Sequence, residues 1–307
     1  MKIAVVGSGA LGLYYGALLQ KGGHEVHFLL RRDYDAIMRD GLTVHSVNGD
    51  FYLSSVSGHV SSNSIGVAEL VIVGLKTFAN DALFDLIHPL VAADTRIVTL
   101  QNGLGNEEML AGLFGPERII GGVAFLCSNR GEPGHVHHLA AGRITIGEYH
   151  PHDRAGLERL AATFKSAGID CKVTGDLLRA RWEKLVWNIP FNGLCALLRQ
   201  PVNSLLSVPG CRKLVRELMV EVVTAANTQN LLTAIPDEFC DTMLEYTDAM
   251  GEYRPSMQID REEGRPLEIQ AIFRVPLERG EKQGVSMARV EMLAVLLEQD
   301  SVSIPSL

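Results

Sequence analysis

The sequence predicts an α/β domain with a doubly wound sheet and an antiparallel addition, followed by an all-α domain. Short β-rich runs alternate with helical patterns up to about residue 175, and helical periodicity takes over after Thr174 and Gly175. The chain has 307 residues, about twice the length of a typical domain. We therefore expect one domain over 1–175 and a second over 176–307.

Composition and charge narrow the class of protein. The chain is 47% hydrophobic and 21% charged, which is typical of a folded globular protein. Its net charge is -8, which disfavours nucleic acid as a partner because phosphate binding needs a basic surface. No apolar run approaches the roughly 18 residues of a membrane helix. The five cysteines form no C-x-x-C pair, so we expect reduced thiols and a cytoplasmic protein.

The first half contains several short strands. Strands are predicted at 3–6, 25–30, 70–73 and 96–100. The first and third are continuous apolar runs, as in strands buried on both faces of a parallel sheet. A helix is predicted over 10–21, and it ends where Gly22 and Gly23 favour a left-handed cap. Asn48-Gly49-Asp50 predicts a hairpin between strands 42–47 and 51–56. Three further short strands, at 119–126, 135–139 and 143–147, predict a meander.

A glycine-rich turn joins the first strand to the first helix. It fits G-x-G-x-x-G and consists of Gly7, Ser8, Gly9, Ala10, Leu11 and Gly12. The first glycine permits a tight turn, the second lets a pyrophosphate approach the backbone, and the third lets the helix pack on the sheet. The helix N-terminus offers unpaired N–H groups to the phosphates. The turn predicts a Rossmann-like domain whose six turn residues bind a dinucleotide.

The end of the second strand indicates which dinucleotide binds. An NAD site usually has a carboxylate there, which binds the ribose hydroxyls. Here Arg31 and Arg32 come first, and guanidinium groups pair well with a 2′-phosphate. NADP is therefore favoured. The alternative is a solvated basic loop in which Asp33 binds the ribose, so Asp33 leaves open a preference for NAD.

Two polar residues follow neighbouring strands. Lys76 comes after the strand at 70–73, and Asn102 comes after the strand at 96–100. Ligands bind outside the carboxyl ends of parallel strands. Lys76 is therefore a candidate to neutralise cofactor or substrate charge, and Asn102 to hydrogen-bond near the nicotinamide. Asn102-Gly103 is also an ordinary turn pair.

A polar row lies on an otherwise apolar helix that Asp176 is expected to cap. Lys184, Asn188 and Asn192 are spaced i, i+4 and i+8 and share one face. Such a row is solvated, paired or functional, and a buried lysine is a usable acid or base. Pro190 removes a helix hydrogen bond and is expected to kink the row.

Two later segments are less informative on their own. Pro266 predicts a helix start, with Glu268 near its positive end. Ser256 and Glu268 are equally consistent with a solvated surface. The run His135-Val136-His137-His138 lacks a supporting carboxylate or cysteine, so it predicts an exposed edge strand and no metal site.

Taken together, these motifs resemble the 2-dehydropantoate 2-reductase (ketopantoate reductase) family of NADPH-dependent enzymes in pantothenate synthesis. The resemblance runs from Met1 to at least Gln283. It depends on the joint order of the glycine-rich turn, Arg31, Lys76, Gln101-Asn102-Gly103, Lys184…Asn188…Asn192 and Ser256-Met257…Gly264-Arg265…Glu268-Ile269.

The resemblance implies roles for individual residues. Lys184 matches the general acid that protonates the ketone oxygen, and Glu268 matches the acidic residue that supports it. Asn188 and Asn192 match residues that hold the substrate's oxygen groups, and Ser256 matches a substrate-carboxylate contact.

Cofactor contacts follow from the same resemblance. Arg31 matches the contact to the 2′-phosphate of NADP, and Gly7, Gly9 and Gly12 match the phosphate loop. Lys76 and Asn102 match positions that line the nicotinamide end, where Asn102 also serves the substrate.

Three other functions remain open from the sequence. The chain could reduce another 2-oxo acid, act as an opine-type dehydrogenase, or be an NADP-sensing protein that needs no proton donor. The expected partner is a small 2-oxo acid, and the helical half could supply a surface for a homodimer.

Overall fold

The computed structural model describes the backbone of residues 1–302 and the side chains of residues 1–299. These residues form two compact units. The first contains Met1–Gln101 and Asn106–Leu177, and the second contains Asn102–Gly105 and the described residues from Leu178 onward. The simple division into 1–175 and 176–307 stays a prediction.

The first unit contains ten strands and five α-helices. The strands are β1 Lys2–Val6, β2 Glu25–Leu29, β3 Leu42–Ser46, β4 Phe51–Leu53, β5 Ser57–His59, β6 Leu70–Val73, β7 Arg96–Thr99, β8 Ile119–Arg130, β9 His135–Glu148 and β10 Cys171–Val173. The helices are α1 Ala10–Lys21, α2 Tyr34–Asp40, α3 Leu83–Ile87, α4 Asn106–Phe114 and α5 Arg154–Ser166.

All ten strands join one mixed sheet. Its order is β4-β3-β9-β8-β7-β6-β1-β2-β5, and β10 pairs with β9. The run from β5 to β8 is parallel throughout. The β8–β9 and β3–β4 pairs are antiparallel. The predicted doubly wound sheet with an antiparallel addition is therefore confirmed.

Strand β1 shows why these strands read as continuous apolar runs. Ile3 and Val5 pack into one hydrophobic cluster, whereas Ala4 and Val6 pack into another on the opposite face. Both faces of the strand are thus covered, and neither can be polar. Helix α1 lies close to the sheet because Gly16 leaves space beside Phe28, where a Cβ atom would come within 2.4 Å of the ring.

The antiparallel addition differs from the expected meander. The predicted strands at 135–139 and 143–147 are one strand, β9, which pairs with β8 as a long hairpin with irregularities near Leu126 and Ser128. The prediction of an exposed edge strand at His135–His138 was wrong, because this part of β9 lies between β3 and β8. His138 is buried and hydrogen-bonds to Tyr14 and Ser46.

The predicted strand at 51–56 is shorter than expected, and a separate strand follows it. Strand β4 ends at Leu53 and forms the expected hairpin with β3, which closes around a turn in which the Gly49 N–H binds the Ser46 carbonyl. Strand β5 then pairs with β2 at the far end of the sheet. Two short segments that are close in sequence therefore lie at opposite edges.

The helical elements that follow are α6 Leu177–Leu198, α7 Val202–Leu206, α8 Pro209–Ala226, α9 Glu238–Asp248, α10 Ser256–Glu262, α11 Val275–Lys282 and α12 Ala288–Val302. Helix α6 begins directly after Asp176, as predicted, and continues through Pro190. Its apolar face carries Trp182, which is fully buried in the core of the second unit. Within the described part of the chain, no helix is both long enough and apolar enough to span a membrane.

The helix predicted to start at Pro266 begins later. Regular structure starts at Ile269, and a π-helical turn over Gln270–Arg274 leads into α11. Pro266 therefore precedes the helix. Glu268 lies immediately before its first residue and is 2% exposed, so the alternative of a solvated surface was wrong for Glu268.

Candidate active site

The glycine-rich turn adopts the geometry that its sequence requires. Gly7 has φ +101°, and a Cβ atom there would lie 2.3 Å from the Leu75 backbone nitrogen. At Gly12 a Cβ atom would lie 2.2 Å from the Gly7 carbonyl oxygen. Both positions exclude any side chain, because the obstructing atoms belong to the backbone.

Gly9 differs from these two positions. It precedes the first residue of α1 and has φ -81°, and no atom of the first unit lies within 4 Å of where its Cβ would be. The hydroxyl of neighbouring Ser8 is buried and has no hydrogen-bond partner among the described residues. The first N–H groups of α1 point out of the helix end beside this space. A pyrophosphate fits this place, because it would fill the space beside Gly9 and accept hydrogen bonds from the Ser8 hydroxyl and from the helix N-terminus.

The side chains after β2 separate into two environments. Arg31 and Arg32 are exposed. Asp33 is 2% exposed and forms an ion pair with Arg130, at the end of β8. Sequence reasoning did not select Arg130, which lies 97 positions further along the chain.

Lys76 is half-buried and immediately precedes a 3₁₀ turn over Thr77–Ala82. Nearby, the Gln101 side chain donates to Asn80 at 2.7 Å, and Asn80 donates to Asn106 at 3.2 Å. Gln101 and Asn106 flank the Asn102–Gly105 loop, so this network holds both ends of the loop. Asn80 and Asn106 were not predicted, and no local motif distinguishes them from ordinary loop residues.

The loop itself belongs to the second unit. The Leu104 N–H donates to the Ala271 carbonyl at 3.0 Å, within the π-helical turn. Gly103 has φ +84°, and a Cβ atom there would lie 2.2 Å from the same carbonyl oxygen. Docking on this turn therefore requires glycine, and it fixes the position of Asn102.

Asn102 in turn contacts the predicted proton donor. The half-buried Lys184 donates from Nζ to Asn102 Oδ1 at 2.6 Å. The two residues are 82 positions apart in sequence. The structure thus brings together two of the predicted site residues. From the sequence alone, Asn102 could also have been an ordinary turn residue and Lys184 part of a solvated helix face.

The rest of the polar row continues along α6. Asn188 is 3% exposed, and its Nδ2 group has no hydrogen-bond partner in the described structure. One turn further, Asn192 Oδ1 accepts from the Met257 N–H at 3.0 Å and from the Ser256 hydroxyl at 3.3 Å. Asn192 therefore ties the start of α10 to α6 and holds Ser256 beside the row. A buried amide donor with no partner is costly in a folded protein, so this observation is consistent with the prediction that Asn188 contacts a ligand.

The family assignment comes from comparison with known proteins. The model for "Ketopantoate reductase PanE/ApbA" matches residues 3–151, and the model for the C-terminal part of the same family matches residues 176–300. The chain belongs to the ketopantoate reductase PanE/ApbA family. These matches confirm the resemblance that the sequence motifs indicated.

Individual ketopantoate reductases are similar in sequence to this protein along nearly its whole length. A 2-dehydropantoate 2-reductase of Nostoc sp. is 44% identical over 95% of this chain and 92% of its own length. The crystal structure of a 2-dehydropantoate 2-reductase from Geobacter metallireducens is 66% identical, with a TM-score of 0.97 over 97% of this chain and 99% of that one.

A third comparison shows the fold alone. The structure of a D-mandelate dehydrogenase with NADH is 21% identical to this chain, with a TM-score of 0.90 over 99% of both chains. The fold is therefore shared by a protein solved with NADH, so fold by itself does not select the phosphorylated cofactor.

Proposed function

We propose that this oxidoreductase reduces 2-dehydropantoate to pantoate, the step that ketopantoate reductases contribute to pantothenate synthesis, with NADPH as the reductant. The observation that carries the proposal is the hydrogen bond between Lys184 and Asn102. Lys184 lies one helical turn from Asn188, whose amide nitrogen has no hydrogen-bond partner in the described structure. Together with family membership, it supports the site of a ketone reductase.

The nicotinamide dinucleotide would be held by the glycine-rich turn. Gly9 leaves room for the pyrophosphate, and the Ser8 hydroxyl and the N–H groups of the first turn of α1 are its donors. Arg31 would pair with the 2′-phosphate, and Lys76 would lie toward the nicotinamide. When bound, NADPH supplies a hydride for the ketone carbon.

Lys184 and its neighbours provide the remaining chemistry. Negative charge builds on the ketone oxygen as the carbon is reduced, and an ammonium stabilises that charge and donates the proton. Asn102 aims the Lys184 ammonium by accepting one of its hydrogens. Asn188 and Asn192 would hold the substrate's oxygen groups, Ser256 its carboxylate, and Glu268 would support the lysine.

The first test is NADPH oxidation by the purified protein with 2-dehydropantoate. Parallel assays use pyruvate and 2-oxoisovalerate as substrates, and NADH as the reductant. We expect fast oxidation of NADPH that is selective for 2-dehydropantoate. Turnover with another 2-oxo acid alone would replace the proposed substrate, and NADPH binding without turnover of any 2-oxo acid would favour a sensor. The cytoplasmic location and a homodimer stay predictions.

The docking of the Asn102–Gly105 loop gives a second prediction. In the Gly103→Ala variant the new methyl group collides with the Ala271 carbonyl, so the loop must move away from the π-helical turn. Displacing a positioning residue by about 1 Å can cost up to about 100-fold in rate. We expect kcat to fall by about tenfold or more, a larger change than that in the Kd for NADPH, because most cofactor contacts lie in the glycine-rich turn.

Gly105→Ala is the matched control. Gly105 has a similar φ of +92°, but its added Cβ would approach the Val275 side chain only to 3.8 Å. It therefore carries the backbone strain of about 1–3 kcal/mol without the collision. If both variants lose kcat equally, the contact with Ala271 is not what positions Asn102.

A further inference from the structure

Asp33 lies four residues after the end of β2 and directly before α2, close to the strand end at which a side chain distinguishes the two nicotinamide dinucleotides. Its environment is unusual for such a carboxylate. A carboxylate at the end of the second strand normally binds ribose hydroxyls, which requires access to the ligand. Here the Asp33 side chain is 3% exposed. It precedes α2, yet it accepts no capping hydrogen bond from that helix.

Both carboxylate oxygens of Asp33 face guanidinium groups instead. Oδ2 pairs with Nη2 of Arg130, and Oδ1 lies 3.4 Å from Nε of Arg32. Arg32 is 56% exposed and Arg130 is 30% exposed, so Arg130 supplies the more sheltered partner. A charge-assisted pair in a sheltered place is stronger than a solvated one.

We propose that Arg130 is a specificity-determining residue that acts through Asp33: by pairing with this carboxylate it keeps Asp33 from binding ribose hydroxyls and cancels its repulsion of a 2′-phosphate. The exposed Arg31 is then free to bind that phosphate. This inference rests on the NADPH preference in the proposed function, and it assigns a role to a residue outside the glycine-rich turn and β2.

The charge balance sets the expected size of the effect. With Arg130 present, one arginine cancels Asp33 and the other arginines remain for the phosphate. Arg130→Met leaves the Asp33 carboxylate with only Arg32, whose 56% exposed side chain gives a weak, solvated pair. For two like unit charges within about 10 Å at an effective dielectric constant of about 20, Coulomb's law gives a change in affinity of at least about tenfold.

The test compares the Kd values of NADPH and NADH, measured by titrating nicotinamide fluorescence without substrate. In Arg130→Met we expect the preference for NADPH over NADH to fall by about tenfold. Arg130→Lys keeps the charge and should retain the preference. Asp33→Asn and the double variant Asp33→Asn/Arg130→Met lack the carboxylate, so both should also retain it.

Arg143→Met is the matched control. Arg143 is an exposed arginine on β9, the strand paired with β8, and its guanidinium lies over the Phe125 ring. Its replacement removes the same charge from the same hairpin and should leave the ratio of the two Kd values unchanged. If Arg143→Met lowers the ratio as much as Arg130→Met does, net charge alone is responsible and the inference is overturned.

Two other results separate this inference from the proposed function. A wild-type preference for NADPH that survives in Arg130→Met overturns the role of Arg130 and leaves the proposed function intact. Failure of the wild type to bind either nucleotide overturns the proposed function, and the inference with it. Asp33→Asn/Arg130→Met buries no unpaired carboxylate, so it should fold even if Arg130→Met folds poorly. Loss of the NADPH preference in this double variant overturns the inference, because Arg130 would then act without Asp33.

Discussion

Replacing Lys184 with methionine is expected to lower kcat for 2-dehydropantoate by about 10²–10⁴-fold, the range that a general acid contributes. Methionine retains much of the lysine's apolar stem but cannot donate a proton or stabilise an oxyanion. The hydrogen bond to Asn102 is lost as well. Since Lys184 is assigned to the substrate's ketone oxygen, the Kd for NADPH should not change.

The measurement is kcat, KM and the NADPH Kd for wild type, Lys184→Met and Lys213→Met. Lys213 is the matched control, because it is a lysine of the same unit whose side chain is 79% exposed on α8. Lys213→Met should keep full activity. A Lys184→Met enzyme that retains more than about a tenth of wild-type kcat would show that another group donates the proton.

The second large effect is expected from alanine substitutions at two glycines of the glycine-rich turn. Gly7→Ala should lower stability, whereas Gly9→Ala should abolish NADPH binding. Gly7→Ala places a methyl group against the backbone of Gly74 and Leu75 and forces a residue with a side chain into φ +101°. Such backbone strain costs about 1–3 kcal/mol before the collision is included. We expect the free energy of unfolding of the protein without ligand to fall by at least that amount.

Gly9→Ala should behave in the opposite way. Its φ of -81° suits alanine, and the methyl group enters open space. The ligand-free protein should therefore keep its stability. The methyl group occupies the space assigned to the pyrophosphate, so the variant should lose NADPH binding.

Urea unfolding with and without NADPH distinguishes the two effects. For the wild type, NADPH at 100 times its Kd should add about 2.7 kcal/mol to the free energy of unfolding. Gly9→Ala should match the wild type without ligand and gain nothing from NADPH. If Gly9→Ala is stabilised by NADPH as much as the wild type is, the pyrophosphate does not bind at this turn.

Much of the fold follows from local sequence. The apolar run of β1, the glycine-rich turn and α1 were predicted to within one residue of their observed bounds. Helix α6 begins where Asp176 indicated, and it carries Lys184, Asn188 and Asn192 on one face. These features are determined by periodicity, glycine positions and capping, which act over a few residues.

The errors come from pairing and from burial. Strand β9 was divided in the prediction because Ala140, Ala141 and Gly142 have no strand preference of their own. In the structure Ala140 and Ala141 pair with β8, and the strand continues past an irregularity at Gly142. Glu268 could not be recognised as buried, because a carboxylate next to Arg265 and Pro266 is typical of a solvated loop, whereas it is 2% exposed in the folded chain.

The sequence by itself determined the class of fold, the dinucleotide turn and the side chains available for proton transfer. Only the tertiary structure decided which side chains contact one another: Lys184 with Asn102, Ser256 with Asn192, and Asp33 with Arg130. These pairs are separated by 82, 64 and 97 positions. A hydrogen bond or ion pair forms only within a few ångströms, and distances that short between remote residues exist only after the chain has folded.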